Sequence, residues 1–184
     1  AHYRAILAVE PRFFGCLHLL GIVESQKGRF EAALACFDAA IEAEPRAADV
    51  FNNRGNVLKE LHRWNESIES YGRALALKPD YAEAFANRAN ALREASRLDD
   101  ALADYAQAIA LRPDHAGFHV SRGNALKEVR RPVEALAAYE EMVRRLPNNA
   151  DGHEALAQLL SRTPGREIDA ARQFAEAQRL REKR

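Results

Sequence analysis

The sequence predicts an all-α fold, a solenoid of stacked helix–turn–helix units. Three observations carry this. Five of the seven prolines, Pro11, Pro45, Pro79, Pro113 and Pro147, stand 34 residues apart, and a fixed period of that size marks a repeat architecture. Four more columns keep the same step: Phe37, Tyr71, Tyr105, Tyr139; Ala33, Ser67, Ala101, Ala135; Gly21, Gly55, Ala89, Gly123; and Ile41, Leu75, Ile109, Val143. Between the prolines the apolar residues recur at helical spacing, as with Ile68, Tyr71 and Leu75. The composition, 47% apolar and 29% charged, is that of a helical chain with a core.

The elements follow in order. Residues 1–13 read as a second helix without its first, because Tyr3 and Ile6 stand in the columns of Phe37 and Ala40. A solenoid unit cannot bury its face alone. Either the parent chain continues ahead of Ala1, or something else covers Tyr3 and Ile6. The start at Ala1 rather than at a methionine is what a fragment or a processed form would show. Full units are expected at 14–47, 48–81, 82–115 and 116–149. Residues 150–184 form a divergent C-terminal unit, with one extra residue in "RTPGR" and no closing proline. Its charged end, "EAQRLREKR", suits a solvated cap.

Within the unit 48–81, the first helix is predicted from Ala48 to Leu61. "HRWN" breaks the pattern, and the second helix begins near Glu66 with Asn65 as N-cap. In the next unit Ser96 and Asp99 have the spacing of a capping pair. Lys78 precedes Pro79, which disfavours further helix there. Gly55 and Gly123 lie inside helices, where glycine costs about 1 kcal/mol relative to alanine. A recurring cost suggests packing: a small residue lets the two helices of a unit approach, and the aromatic of the second fills the space.

A 34-residue two-helix unit with these columns resembles the tetratricopeptide repeat (TPR). Phe51, Gly55, Ser67, Tyr71, Ala74 and Pro79 match its signature in one unit; Phe85, Ala89, Ala101, Tyr105, Ala108 and Pro113 match it in the next. The resemblance covers Phe14 to Asn149. Leu58, Leu92 and Leu126 replace the family's tyrosine, His119 and His153 replace its first aromatic, and Met142 replaces an alanine. It implies a right-handed α-solenoid whose first helices line an inner wall that binds extended peptides. The stretch "CLHLLGIVESQKGRFEAAL", with the Asn-rich helices after it, is also similar to the TPR arrays of bacterial glycosyltransferases related to O-linked N-acetylglucosamine transferase. That likeness implies a substrate-selecting module of a larger enzyme.

The candidate binding residues fall on the first helices. Asn52, Asn56 and Lys59 are spaced i, i+4, i+7; Asn90 and Arg93 repeat the last two, as do Asn124 and Lys127. Asn53 and Asn87 lie beside them, with Ser121 in the following unit. An amide both donates and accepts, so it pairs with a peptide bond whatever the bound side chains are. Lys and Arg beside it can hold a carboxylate or phosphate. The competing reading is that the asparagines brace neighbouring units, and that Glu60, Glu94 and Glu128 cancel the basic ends. Arg54, Arg88 and Arg122 occupy a column where the family usually has Leu. They are expected to snorkel from the groove between units, with a carboxylate such as Asp104 pairing Arg122. A second column, Arg29, Arg63, Arg97 and Arg131, reads as solvated turn residues. The carboxylate clamp of chaperone-binding TPR domains does not fit: one frame gives Asn52, Asn56, Asn87, Gly117 and Ser121, which lacks every basic residue.

Other functions are disfavoured. Balanced charge, 27 basic against 27 acidic residues, argues against nucleic acid or an anionic membrane surface as partner. No apolar run reaches the ~18 residues of a membrane span. No phosphate loop, nucleophile elbow or zinc-helix motif is present, so no enzyme and no cofactor are expected. His115 and His119 lack a third ligand in sequence, and Asp99 with Asp100 suits a helix start. Cys16 and Cys36 have no ligand spacing and read as buried thiols of a reducing, cytoplasmic compartment. The expected partner is a protein or peptide, with self-association through exposed solenoid ends as a further possibility.

Overall fold

The computed structural model describes residues 2–183, and among them the secondary structure is helical throughout. Two compact units divide the chain, Ala1–Arg97 and Leu98–Arg184. The first holds α1 (His2–Val9), α2 (Phe14–Gln26), α3 (Phe30–Ala43), α4 (Ala48–Glu60), α5 (Trp64–Leu77) and α6 (Ala82–Glu94). The second holds α7 (Leu98–Leu111), α8 (Ala116–Glu128), α9 (Pro132–Arg145), α10 (Ala150–Leu160) and α11 (Glu167–Glu182). The fold is all-α and of the repeat type the sequence predicts.

The turn inside each helical hairpin departs from expectation. The second helix of the 48–81 unit starts at Trp64, so Asn65 lies within it, and the cap position falls to Arg63, which makes no side-chain cap bond. Ser96 likewise sits outside the cap position, two residues ahead of α7. The reason is a Schellman-type ending on each first helix. The backbone N–H of Arg29, Arg63, Arg97 and Arg131 donates to the carbonyl five residues earlier, on Glu24, Leu58, Leu92 and Leu126, at 2.8–2.9 Å. The residue before each arginine takes the left-handed conformation: Gly28 at φ 70°, His62 at 58°, Ser96 at 61° and Arg130 at 57°. The tight reversal leaves no room for an Asn65 or Ser96 cap. Acidic first-turn residues answer the helix dipole instead, among them Glu31, Glu66, Asp99, Asp100 and Glu134.

Each arginine of this column therefore does more than face solvent. Arg63 forks onto Glu66 at 2.6 and 2.7 Å, and Arg131 onto Glu134 at 2.5 and 2.7 Å. Those bonds hold the carboxyls of Glu66 and Glu134 below their ordinary range. Arg29 turns back onto Glu24, a carboxylate buried at the position that is Leu58, Leu92 and Leu126 in later repeats.

The aromatic column forms the centre. Phe37, Tyr71, Tyr105 and Tyr139 are almost wholly buried. The glycine column explains how. A Cβ on Gly21 would lie 2.6 Å from the Phe37 ring, one on Gly55 2.6 Å from Tyr71, and one on Gly123 2.5 Å from Tyr139. The rings of Phe37, Tyr71 and Tyr139 pack against bare backbone. Ser67 adds a buried tie, its hydroxyl donating to the Gly55 carbonyl at 2.8 Å. Around Phe37 pack Leu17, Ala33, Leu34, Val50, Val57 and Leu58; around Tyr139 pack Leu156, Leu160 and Ala170. The buried imidazoles of His119 and His153 each point Nε2 at a turn carbonyl, of Pro113 at 2.8 Å and Pro147 at 2.9 Å. They thus combine burial with a hydrogen bond that phenylalanine cannot make. Cys16 is buried, Cys36 half-buried, and neither is bridged.

Candidate functional site

The asparagines divide into two sets with different work. One set lies between adjacent first helices. Asn52 is buried, and its Oδ1 accepts from Asn87 Nδ2 at 3.1 Å, tying α6 to α4. Asn53 Nδ2 lies 2.9 Å from His18 Nε2, tying α4 to α2. An amide nitrogen only donates, so this ring nitrogen accepts and His18 carries its proton on Nδ1. Burial pushes the imidazole below its ordinary pKa, with Asp49 opposing. Both bonds join residues 35 apart and have the same register, His18 standing in the column of Asn52.

The second set is Asn56, Asn90 and Asn124. Each is half-buried on a first helix. The Tyr71 hydroxyl donates to Asn56 Oδ1 at 2.7 Å, and the Tyr139 hydroxyl donates to Asn124 Oδ1 at 2.8 Å. These bonds orient the two amides through their carbonyl oxygens and leave the NH2 groups to donate. The two tyrosines, which sequence reasoning did not assign to the site, orient it. Burial pushes the Tyr139 phenol up to about 12 and Tyr71 higher still. Both hydroxyls thus remain donors through the physiological range. A signal for this is present in the sequence: the aromatic column is Tyr where the first helix carries Asn56, Asn90 or Asn124, and Phe37 where it carries Ile22.

The basic ends follow one turn on. Lys59 lies 3.8 Å from Glu60 and Arg93 2.8 Å from Glu94, while Lys127 is exposed. Ser121 on α8 is half-buried. Asn56, Lys59, Asn90 and Arg93 thus share the first unit, on α4 and α6, and Ser121, Asn124 and Lys127 share α8 in the second.

Arg54, on the far side of α4, is held between second helices: Nε donates to Asp38 Oδ1 at 2.6 Å and Nη1 to Ser70 Oγ at 3.0 Å. Its carboxylate therefore stands sixteen residues earlier. In that register the residue facing Arg122 is Ala106, not the expected Asp104. Among the described residues no cluster of His, Cys, Asp or Glu is arranged to hold a metal ion. No described helix is long and apolar enough to cross a membrane.

Two family models match the chain, one described as TPR repeat over residues 21–62 and 55–95, the other as tetratricopeptide repeat over residues 87–150. The chain belongs to the tetratricopeptide-repeat family. Such repeats are interaction scaffolds rather than catalysts, and this TPR chain is a scaffold of that kind. Among solved structures, MamA is similar at 21% identity and a TM-score of 0.77, covering 89% of this chain and 95% of that one. YrrB, described as a TPR protein with an unusual peptide-binding site, is similar at 19% identity and 0.74, covering 98% and 92%. Pseudomonas aeruginosa PilF is similar at 24% identity and 0.75, covering 89% and 74%. At these identities the likeness is one of fold. No curated protein sequence matches significantly.

Proposed function

We propose that this TPR chain binds an extended peptide along its asparagine-bearing first helices. The amide N–H groups of Asn56 and Asn90 donate to backbone carbonyls of the ligand, and Lys59 and Arg93 hold acidic groups at the edge. Asn124 and Lys127 offer the same chemistry on α8. The observation that carries this reading is the tyrosine–asparagine bond. Tyr71 donates to the Asn56 oxygen and so holds the amide in one orientation, its NH2 group fixed in direction before a ligand arrives. Fixed donors lose little freedom on binding. The similar fold of YrrB, described as a TPR protein with an unusual peptide-binding site, supports this reading. Asn52, Asn53 and Asn87 act in this reading as braces that set the spacing of the donors.

The test is a peptide-library selection followed by calorimetry of the best binder against wild type and the Asn56→Ala/Asn90→Ala double variant. Two hydrogen bonds of about 0.5–1.5 kcal/mol each predict a loss of roughly 5- to 150-fold. Unchanged affinity in a folded double variant removes the reading.

A second reading has its own observation. Ile6, Val9 and Phe13 are 43%, 81% and 48% exposed, and Phe13 and Phe14 line an apolar cavity of about 800 Å³ with Pro11 and Gly15. Exposed apolar surface of this kind marks an association site. Self-association there predicts a concentration-dependent mass by light scattering that Ile6→Glu abolishes.

A further inference from the structure

We infer that Arg122, in the second unit, is a docking point for an Asp or Glu side chain of a partner protein, on the side of α8 away from Asn124. The two residues are two positions apart, about 200° around a helix.

Arg54, Arg88 and Arg122 stand in one column, 34 residues apart. Arg54 is gripped from both sides, by Asp38 sixteen residues before it and Ser70 sixteen after. The next arginine keeps the register, since a Cβ on Gly72, sixteen before Arg88, would lie 3.8 Å from Arg88 Nη1. At Arg122 both of these places are alanine, Ala106 and Ala138. The consequence is visible in the structure. Arg122 Nε is buried and has no hydrogen-bond partner among the described residues. A shielded guanidinium N–H without an acceptor is costly, and a carboxylate is its best acceptor.

The surroundings choose the ligand. Around Arg54 a cavity of about 220 Å³ is lined by Phe51, Glu66, Glu69, Ser70 and Arg73. At the corresponding places near Arg122, Glu69 becomes Ala137 and Ser70 becomes Ala138, while Ala106, in the place of Asp38, is exposed. The change from Asp38, Glu69 and Ser70 to three alanines opens room for an aliphatic stem, while Arg73 becomes Glu141, whose carboxylate is held by Arg144 and Arg145. Glu134 remains, forked onto Arg131, and feels the charge of Arg122. With Glu134 held by Arg131 and Glu141 by Arg144 and Arg145, Arg122 suits a singly charged acid, and the two carboxylates repel a dianionic phosphate more strongly. A carboxylate arriving over Ala106 takes the part that Asp38 plays for Arg54, after a small turn of the guanidinium.

The experiment follows the Arg122 Nε–H resonance of the full chain by nitrogen–proton NMR, assigned with Arg122→Lys. The probe is N-acetyl-glutamate-N-methylamide over roughly 1–100 mM, the range for a single weak contact, with sodium chloride matched for ionic strength. The expected result is a saturating shift in wild type that is absent in Ala106→Asp, where the chain supplies its own carboxylate and the resonance already sits at the bound position. Ala106 is exposed, so this variant keeps the fold. No shift with the probe, an equal shift with sodium chloride, or an undiminished shift in Ala106→Asp overturns the inference. A larger shift with inorganic phosphate than with the probe overturns the choice of a protein carboxylate.

Discussion

The most exacting test of the packing is Gly55→Ala, a change that helix propensity alone would favour by about 1 kcal/mol. The added Cβ would sit 2.6, 2.8 and 2.9 Å from three atoms of the Tyr71 ring. Carbon atoms pack best at about 3.5–4.0 Å, so the ring must withdraw by about 1 Å. Tyr71 has no exposed surface to withdraw into, which makes this an overpacking cost of about 1–3 kcal/mol. The same movement would stretch its 2.7 Å bond to Asn56 beyond useful length, at about 0.5–1.5 kcal/mol. Set against the propensity gain, the net loss is about 0.5–3.5 kcal/mol. Near 2–4 °C per kcal/mol for a chain of this size, the melting temperature falls by roughly 1–14 °C. The control is Gly72→Ala in α5, where the nearest atom is the far end of Arg88 at 3.8 Å. That change has no packing cost, and it should raise stability by up to about 1 kcal/mol. Circular dichroism melts of both variants decide the matter. A Gly55→Ala protein as stable as wild type, or a Gly72→Ala protein as damaged as Gly55→Ala, would refute the account of ring against bare backbone. The alternative it must beat is real, because Ala89 occupies the same column in the following repeat.

The remaining predictions use the same measurements. His62→Gly and Arg130→Gly, at φ 58° and 57°, should each raise stability by about 0.5–1 kcal/mol in urea titration, because glycine meets no Cβ penalty there. Stability should fall on the alkaline side: Tyr139 carries a folded pKa of about 12 against an ordinary 10, so its contribution is complete below pH 10 and lost as pH rises through 12. Tyr139→Phe should flatten that part of the pH profile, and an unchanged profile would count against the buried hydroxyl. His119→Phe should cost about 1 kcal/mol despite its greater hydrophobicity, since the Pro113 carbonyl loses its donor.

These contacts also show where a periodic sequence is readable and where it is not. Anything within one column is plain: the prolines, the ring column and the small residue paired with each ring repeat at 34, and the structure puts Gly55 against Tyr71 as the recurrence suggests. The turns are harder, because glycine marks the left-handed position at Gly28 and Gly165 while His62, Ser96 and Arg130 conceal it, and Asn65 then offers itself as a false cap. The binding face was hardest, for a geometric reason. The bonds Asn53–His18 and Asn87–Asn52 run at 35 residues, and Tyr71–Asn56 and Tyr139–Asn124 at 15. Such diagonals cut across the 34-residue columns, so aligning the repeats separates the partners instead of pairing them. An asparagine ladder then looks like a single surface, though Asn52 and Asn87 are tied to each other and Asn53 to His18. What survives of the binding hypothesis is narrower and more physical than the ladder. It is a donor that Tyr71 or Tyr139 has already aimed, and only a ligand with acceptors at that place can use it.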